Sequence, residues 1–195
     1  MTWKVFTGQD NAAIIATAIA ETPYPEGVSL RLVDIGRDLP ALGDMEIVPG
    51  HDTINPAYGA VAEDCSDELT LVAEKDGRIV GQISVDIEMR GGSLTGMDLF
   101  VTGVFVDARH RGTGIGSALG GATVRVMEAW RRAQCCSLGR GLNGDIEVTG
   151  DTLPDSSGDR VVDMMAGLAM DLSDEAFSID QVSNAGREHL TATAS

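Results

Sequence analysis

The run from Leu69 to Glu88, LTLVAEKDGRIVGQISVDIE, constrains the fold more than any other part of the chain. Two β-prone segments meet at Asp76-Gly77, a dipeptide that readily takes the positive φ angles of a tight turn between antiparallel strands. In the second segment Ile79, Gly81, Ile83, Val85 and Ile87 fall on one face, and Val80, Gln82, Ser84, Asp86 and Glu88 on the other. A period of two predicts a half-buried antiparallel strand. MRGGSLTG then turns the chain, and MDLFVTGVFV, Met97 to Val106, reads as a third, central and more deeply buried strand.

Helices flank this core. Ile115, Leu119, Ala122, Val126 and Ala129 or Trp130 recur at helical spacing and predict a helix from about Gly114 to Ala133. Near the N-terminus TWKVF is β-prone, and GQDNAAIIATAIAET forms a helix capped at Asp10 or Asn11. Residues 23–67 read as an irregular excursion over a binding cleft, because PYPEG, DLPALGD, PGHD and NPAYG are all turn chemistry. Within it VSLRLVDI is a candidate strand. Late in the chain CCSLG or DIEV supplies a further strand, and TLPDSSGD is a loop with a cap at Ser157 or Asp159. RVVDMMAGLAMDL is a helix, and the tail frays from about Ser183. The order implies a single α/β domain over residues 1–195, with helices around a mixed, largely antiparallel sheet.

Composition narrows the partners. Thirty Asp and Glu against 14 Lys and Arg give a formal net charge of −16. Such a chain repels polyanions, so no nucleic-acid partner is expected, whereas amines and basic peptides are attracted. No apolar run reaches the ~20 residues of a membrane span. MTWKVFTGQD lacks the basic and apolar regions of a signal peptide, so the expected location is cytoplasmic, away from any membrane. Cys65, Cys135 and Cys136 form no metal spacing, vicinal cysteines pair poorly, and all three are expected to be reduced. His51, His110 and His189 are scattered, so no metal is expected.

Against this acidity RHRGTGIGSALG, Arg109 to Gly120, places two arginines and a histidine before a glycine-rich turn and an apolar helix. A strand that feeds such a turn aims unpaired helix N-terminal N–H groups at one point, where the helix dipole favours an anion by about 0.3–1 kcal/mol. Glycines at 112, 114 and 116 would let a phosphate approach the backbone. No Gly-Lys-Ser/Thr is present, so this is not a Walker loop. The dinucleotide pattern GxGxxG fails because Ser117 and Leu119 stand where its third glycine would fall.

At these residues the sequence resembles the GNAT superfamily of N-acetyltransferases, whose motif is Arg/Gln-x-x-Gly-x-Gly/Ala between a valine-rich strand and a helix. Here it reads Arg109-His110-Arg111-Gly112-Thr113-Gly114, preceded by VFVDA and followed by IGSAL. RIVGQISV is similar to the strand before the motif strand, and the resemblance covers roughly Glu68 to Ala133. It implies a GNAT-like fold and acetyl-CoA or another acyl-CoA as donor, with no metal. The backbone from Arg109 through His110, Arg111, Gly112 and Thr113 to Gly114 would cradle the pyrophosphate, and Ile115 and Gly116 would open the helix. Val104 and Val106 would bond the pantetheine arm through main-chain groups.

Some family features are missing. Many members carry a late tyrosine that protonates the leaving thiolate, but the tyrosines here are Tyr24 and Tyr58. The C-terminal part, about residues 140–195, is atypical. Family members with an acidic base can carry it near the start of the motif strand, which points to Asp98, with Asp86 and Glu88 as weaker candidates. Strand parity would set Asp98 on one face with Phe100, Thr102, Val104 and Val106, unless a bulge intervenes. The implied reaction moves an acetyl group to a primary amine of a small molecule, a protein lysine or an N-terminus, and dimers are common in the family. The alternative is a CoA-binding sensor without catalysis.

Overall fold

The computed structural model describes residues 9–43, 45, 68–90, 96–137, 144–150 and 157–173. TWKVF, residues 46–67, most of the MRGGSLTG turn, most of TLPDSSGD and the tail lie outside the described residues, as do Cys65, His51 and His189.

The elements are α1 (Gln9–Ala20), β1 (Val28–Leu32), α2 (Ile35–Gly43), β2 (Glu68–Lys75), β3 (Arg78–Met89), β4 (Met97–Val106), α3 (Ile115–Ser137) and β5 (Ile146–Gly150). A last helix, α4, spans residues 157–173. The sheet order is β1-β2-β3-β4-β5. Every neighbouring pair is antiparallel except β4 and β5, which α3 joins by a parallel crossover. The predicted mixed, largely antiparallel sheet is therefore present. At the β2–β3 turn Asp76 (φ 51°) and Gly77 (φ 74°) both lie in the left-handed region, the geometry of a type I′ hairpin.

Some local expectations need correction, and one open choice is decided. DLPALGD is part of α2 rather than turn; it is amphipathic, and Leu42 packs with Met45, Val72 and Ile79 in a satellite core. β3, not β4, is the deepest strand. Gln82 and Ser84 are as buried as Ile83 and Val85, so both faces of β3 are covered there. CCS ends α3, and DIEV supplies β5. Ser157 and Asp159 both fall inside α4, so neither is its cap.

The main core lies between one sheet face and α1, α3 and α4. Ile83, Val85, Met97, Leu99, Val101, Ile146 and Val148 meet Ile115, Leu119, Ala122 and Val126 of α3. α4 docks through Val161, Met165 and Ala169. Its close approach uses Gly120, where a Cβ would come within 2.9 Å of both Met165 and Val161. At the far end of α3 the fully buried Arg131 pairs with Glu128 at 2.7 Å, and its Nη1 donates to the Gly144 carbonyl just before β5. That buried pair ties the helix end to the start of the last strand.

Candidate active site at the split between two strands

β4 changes character at its midpoint. From Met97 to Val101 it pairs with β3 on one edge and β5 on the other, and the last parallel pair is Val101 with Gly150. From there to Val106, β3 is the one strand beside it among the described residues. The register with β3 shifts between Ser84, which faces Gly103, and Val85, which faces Val101. Thr102 is the extra residue, a bulge whose hydroxyl donates to the Ser84 carbonyl at 3.1 Å. A bulge bends and twists its strand, and this one follows directly on the last β4–β5 pair among the described residues.

The same bulge corrects the predicted parity. Met97, Leu99 and Val101 face the α3 side before it, and Val104 and Val106 pack against that same core after it. Asp98 and Phe100 therefore lie on the opposite face from Val104 and Val106. Asp98 sits across from Glu88, Phe100 across from Asp86.

Beyond the open edge the chain enters the glycine turn. Asp107 is buried, its N–H donates to the Val80 carbonyl at 3.0 Å, and its carboxylate caps a short 3-10 turn, Ala108–His110, by accepting from the Arg109 N–H. Arg109 returns a two-pronged contact to it, Nε to Oδ1 and Nη2 to Oδ2, each 3.1 Å. Arg109 thus clamps the turn. Arg111 Nε donates to the Val106 carbonyl at 3.1 Å, and Thr113 Oγ1 donates to the His110 carbonyl at 2.6 Å. Gly112 (φ 72°) and Gly114 (φ 88°) hold conformations that a side chain would strain. Gly114 accepts the first helical bond, from Ala118 N–H at 2.9 Å, so the N–H groups of Ile115 and Gly116 open the first turn of α3. Ile115 is buried against the core, and Gly116 lies beside Val104, Val106 and Val161.

A groove of about 700 Å³ starts at Gly114 and runs along α3 between the 22–25 turn and α4. Ser117, Ala118 and Gly121 floor it, and it ends at Arg125, with Asp171 on the opposite rim. The buried Nε of Arg125 has no hydrogen-bond partner among the described residues. Sequence reasoning passed over Arg125, although its signal was readable: small residues at helical spacing, 114, 117, 118 and 121, lead to one basic residue.

The other sheet face carries the carboxylates. Asp98 is 37% exposed and ion-paired, its Oδ1 2.8 Å from Nε of Arg90. Arg90 also reaches Asp145 at 3.0 Å and Glu147 at 3.6 Å. Asp86 has no such clamp, and burial pushes its carboxyl above the usual carboxylate range. Phe100, 42% exposed, and the exposed Thr149 border the point where β4 and β5 part.

No helix among the described residues is long and apolar enough to cross a membrane. No curated protein sequence matches the chain. Among solved structures it is similar to the ribosomal-protein-alanine N-acetyltransferase of Brucella melitensis biovar Abortus 2308, with 16% identity over 71% of this chain and 90% of that one and a TM-score of 0.47. It is also similar to AAC(6')-Iy in complex with the bisubstrate analog CoA-S-monomethyl-acetylneamine, with 19% identity over 72% and 89% and a TM-score of 0.45. A third is glucosamine-6-phosphate N-acetyltransferase of Arabidopsis thaliana, with 22% identity over 73% and 91% and a TM-score of 0.39. The model of the acetyltransferase (GNAT) family matches residues 41–141, more than half of the chain and the whole of the split strand and its glycine turn. The chain belongs to the GNAT family of acetyltransferases.

Proposed function

We propose that this protein is an acetyl-CoA-dependent N-acetyltransferase that acetylates a primary amine. The observation that carries the reading is the open edge of β4, which leads without interruption into the glycine turn. From Val101 to Val106 that edge spans about 16 Å at ~3.3 Å per residue, room for an extended pantetheine arm paired as an added strand. Main-chain groups of Val104 and Val106 would hold the arm. The backbone from Arg109 to Gly114, with the first N–H groups of α3 at Ile115 and Gly116, would hold the pyrophosphate. The groove to Arg125 would take the adenosine end, with Arg125 toward its phosphate. The positive-φ glycines fit this use, since a side chain at either would strain the cradle.

Bound acetyl-CoA supplies an activated thioester. The chain's own residues align it, exclude water along the β4 edge and remove a proton from the amine, which is most of what such a transfer requires. The leaving thiolate can take its proton from water, so the missing late tyrosine does not bar the reaction. A cationic acceptor, whether a small polyamine or the lysine or N-terminus of a protein, suits the net charge of −16.

Calorimetry with CoA and thiol release from acetyl-CoA over a panel of amines test the reading together. Binding with amine-dependent thiol release supports it. Tight binding with no release for any amine would favour a CoA-binding sensor, the alternative that the absent tyrosine keeps open. Failure to bind CoA would remove both.

A further inference from the structure

We propose that Asp86, rather than Asp98, takes the proton from the acceptor amine, because it is the carboxylate beside the strand split on the one sheet face through which an amine can arrive. The inference rests on the acyl-transfer reading above. On the α3 side the split is packed shut. Val101 is 2% exposed, and a Cβ on Gly150 would come within 3.0 Å of Val162 of α4 and 3.2 Å of Val101. On the other side Phe100 and Thr149 stand exposed. An amine that reaches the end of the pantetheine arm must cross this second face.

Three acidic side chains of β3 and β4 lie there, and register ranks them. Asp86 is the direct cross-strand partner of Phe100, with their Cβ atoms about 5 Å apart, and Phe100 immediately precedes the last β4–β5 pair. Asp98 and Glu88 face each other one row further back, about 7 Å more distant along the strands. Asp98 is also ion-paired to Arg90, which contacts Asp145 and Glu147 as well. The groups around Asp86 are Glu68 at its register partner on β2, Ser84 and Glu88 on its own face of β3, and Phe100 and Asp98 on β4. No cation pairs with it among the described residues, and burial raises its proton affinity. A carboxylate with no paired cation and a raised proton affinity is suited to take a proton from an ammonium and release it again.

The step is a proton transfer. An N–H bond of the bound ammonium breaks, and its electron pair stays on nitrogen as the nucleophile's lone pair. The proton joins Asp86, directly or through one water, and later passes to solvent. Arg90 and Asp98 serve this arrangement only by fixing the neighbouring row.

The test compares wild type, Asp86→Asn, Asp86→Glu and Asp98→Asn, with spermidine and a lysine-bearing peptide as acceptors. For Asp86→Asn we expect kcat/KM to fall by about 10²–10⁴, with CoA affinity unchanged and the alkaline-rising limb of the pH profile lost. Asp86→Glu should restore part of the rate, and Asp98→Asn should lose less than Asp86→Asn. A readout independent of turnover is the side-chain carboxyl carbon signal of ¹³C-labelled aspartate, assigned by its loss in Asp86→Asn. It should titrate above the usual carboxylate range and shift when spermidine is added. A folded Asp86→Asn variant with wild-type kcat/KM from pH 6 to 9 would overturn the proposal, as would a larger loss in Asp98→Asn. Wild-type protein that binds CoA but releases no thiol with either acceptor would instead sink the acyl-transfer reading, and the assignment of Asp86 with it.

Discussion

The two halves of β4 are built from similar residues and do different work. Met97 to Val101 has a strand on each side, alternates strictly, and buries Met97, Leu99 and Val101 almost completely. Thr102 to Val106 has one neighbour among the described residues, loses the alternation at the bulge, and leaves every residue only partly buried. The first half is a wall of the core. The second offers a main-chain edge, and what it offers to a ligand depends on where β5 stops rather than on valine side chains.

Mutations in the two halves should separate stability from binding. The largest effect is expected from Leu99→Ala in the paired half. It removes a fully buried side chain and should cost about 2–5 kcal/mol of stability, seen as a lower midpoint in urea, with CoA affinity of the folded fraction unchanged. Next is Gly114→Val, at the turn that continues the open half. The positive φ resists a β-branched residue, and CoA affinity should drop tenfold to a hundredfold, about 1.4–2.7 kcal/mol. Gly114→Asn, which tolerates that backbone, keeps the fold and isolates the loss of ligand approach. Equal CoA affinity in folded Gly114→Val would remove the pyrophosphate from this turn.

Smaller effects sharpen the contrast. Val104→Ala trims a half-buried side chain and should cost about 1 kcal/mol of stability while barely changing CoA binding, because the arm is held by main chain. A strong CoA defect would show that the side chains themselves read the ligand. The smallest effect has a sign rather than a size. Burial raises the Asp86 pKa in the fold, so its ionised form opposes folding above the raised pKa, and the penalty fades as pH falls through it. Asp86→Asn should therefore raise Tm at pH 7, with the gain shrinking toward acid. Asp38 runs the other way. Its hydrogen bonds to the Arg31 guanidinium lower its pKa, so it stabilises the fold above the ordinary carboxylate pKa, and that contribution is lost only as pH drops through the lowered value. Thermal unfolding of both asparagine variants from pH 7 to 3 would check the two slopes.

Several elements were legible because their cause is local. The Asp76-Gly77 hairpin, the helix after Gly114 and the glycine turn before it follow from allowed φ angles and a period of 3.6. α2 was not, because DLPALGD carries turn residues whose apolar face becomes meaningful only against Val72 and Ile79. Arg125 is a plain surface arginine in sequence; α4 and the 22–25 turn make it the end of a groove. The ranking of Asp86 over Asp98 depends on register, which both sequence positions leave open.

The sequence by itself determined that this chain forms an antiparallel hairpin, a third strand and a glycine turn at a helix N-terminus, and that the turn suits a phosphate ligand. Those are properties of neighbouring residues, decided by sterics and hydrogen-bond geometry within a few positions. Only the tertiary structure decided where β4 shifts register against β3, which face of the sheet each carboxylate occupies and which residue stands opposite it. Each depends on one extra residue at Thr102 and on β5 ending at Gly150. A one-residue register shift reverses every side chain beyond it, and it is set by strands far apart in the chain.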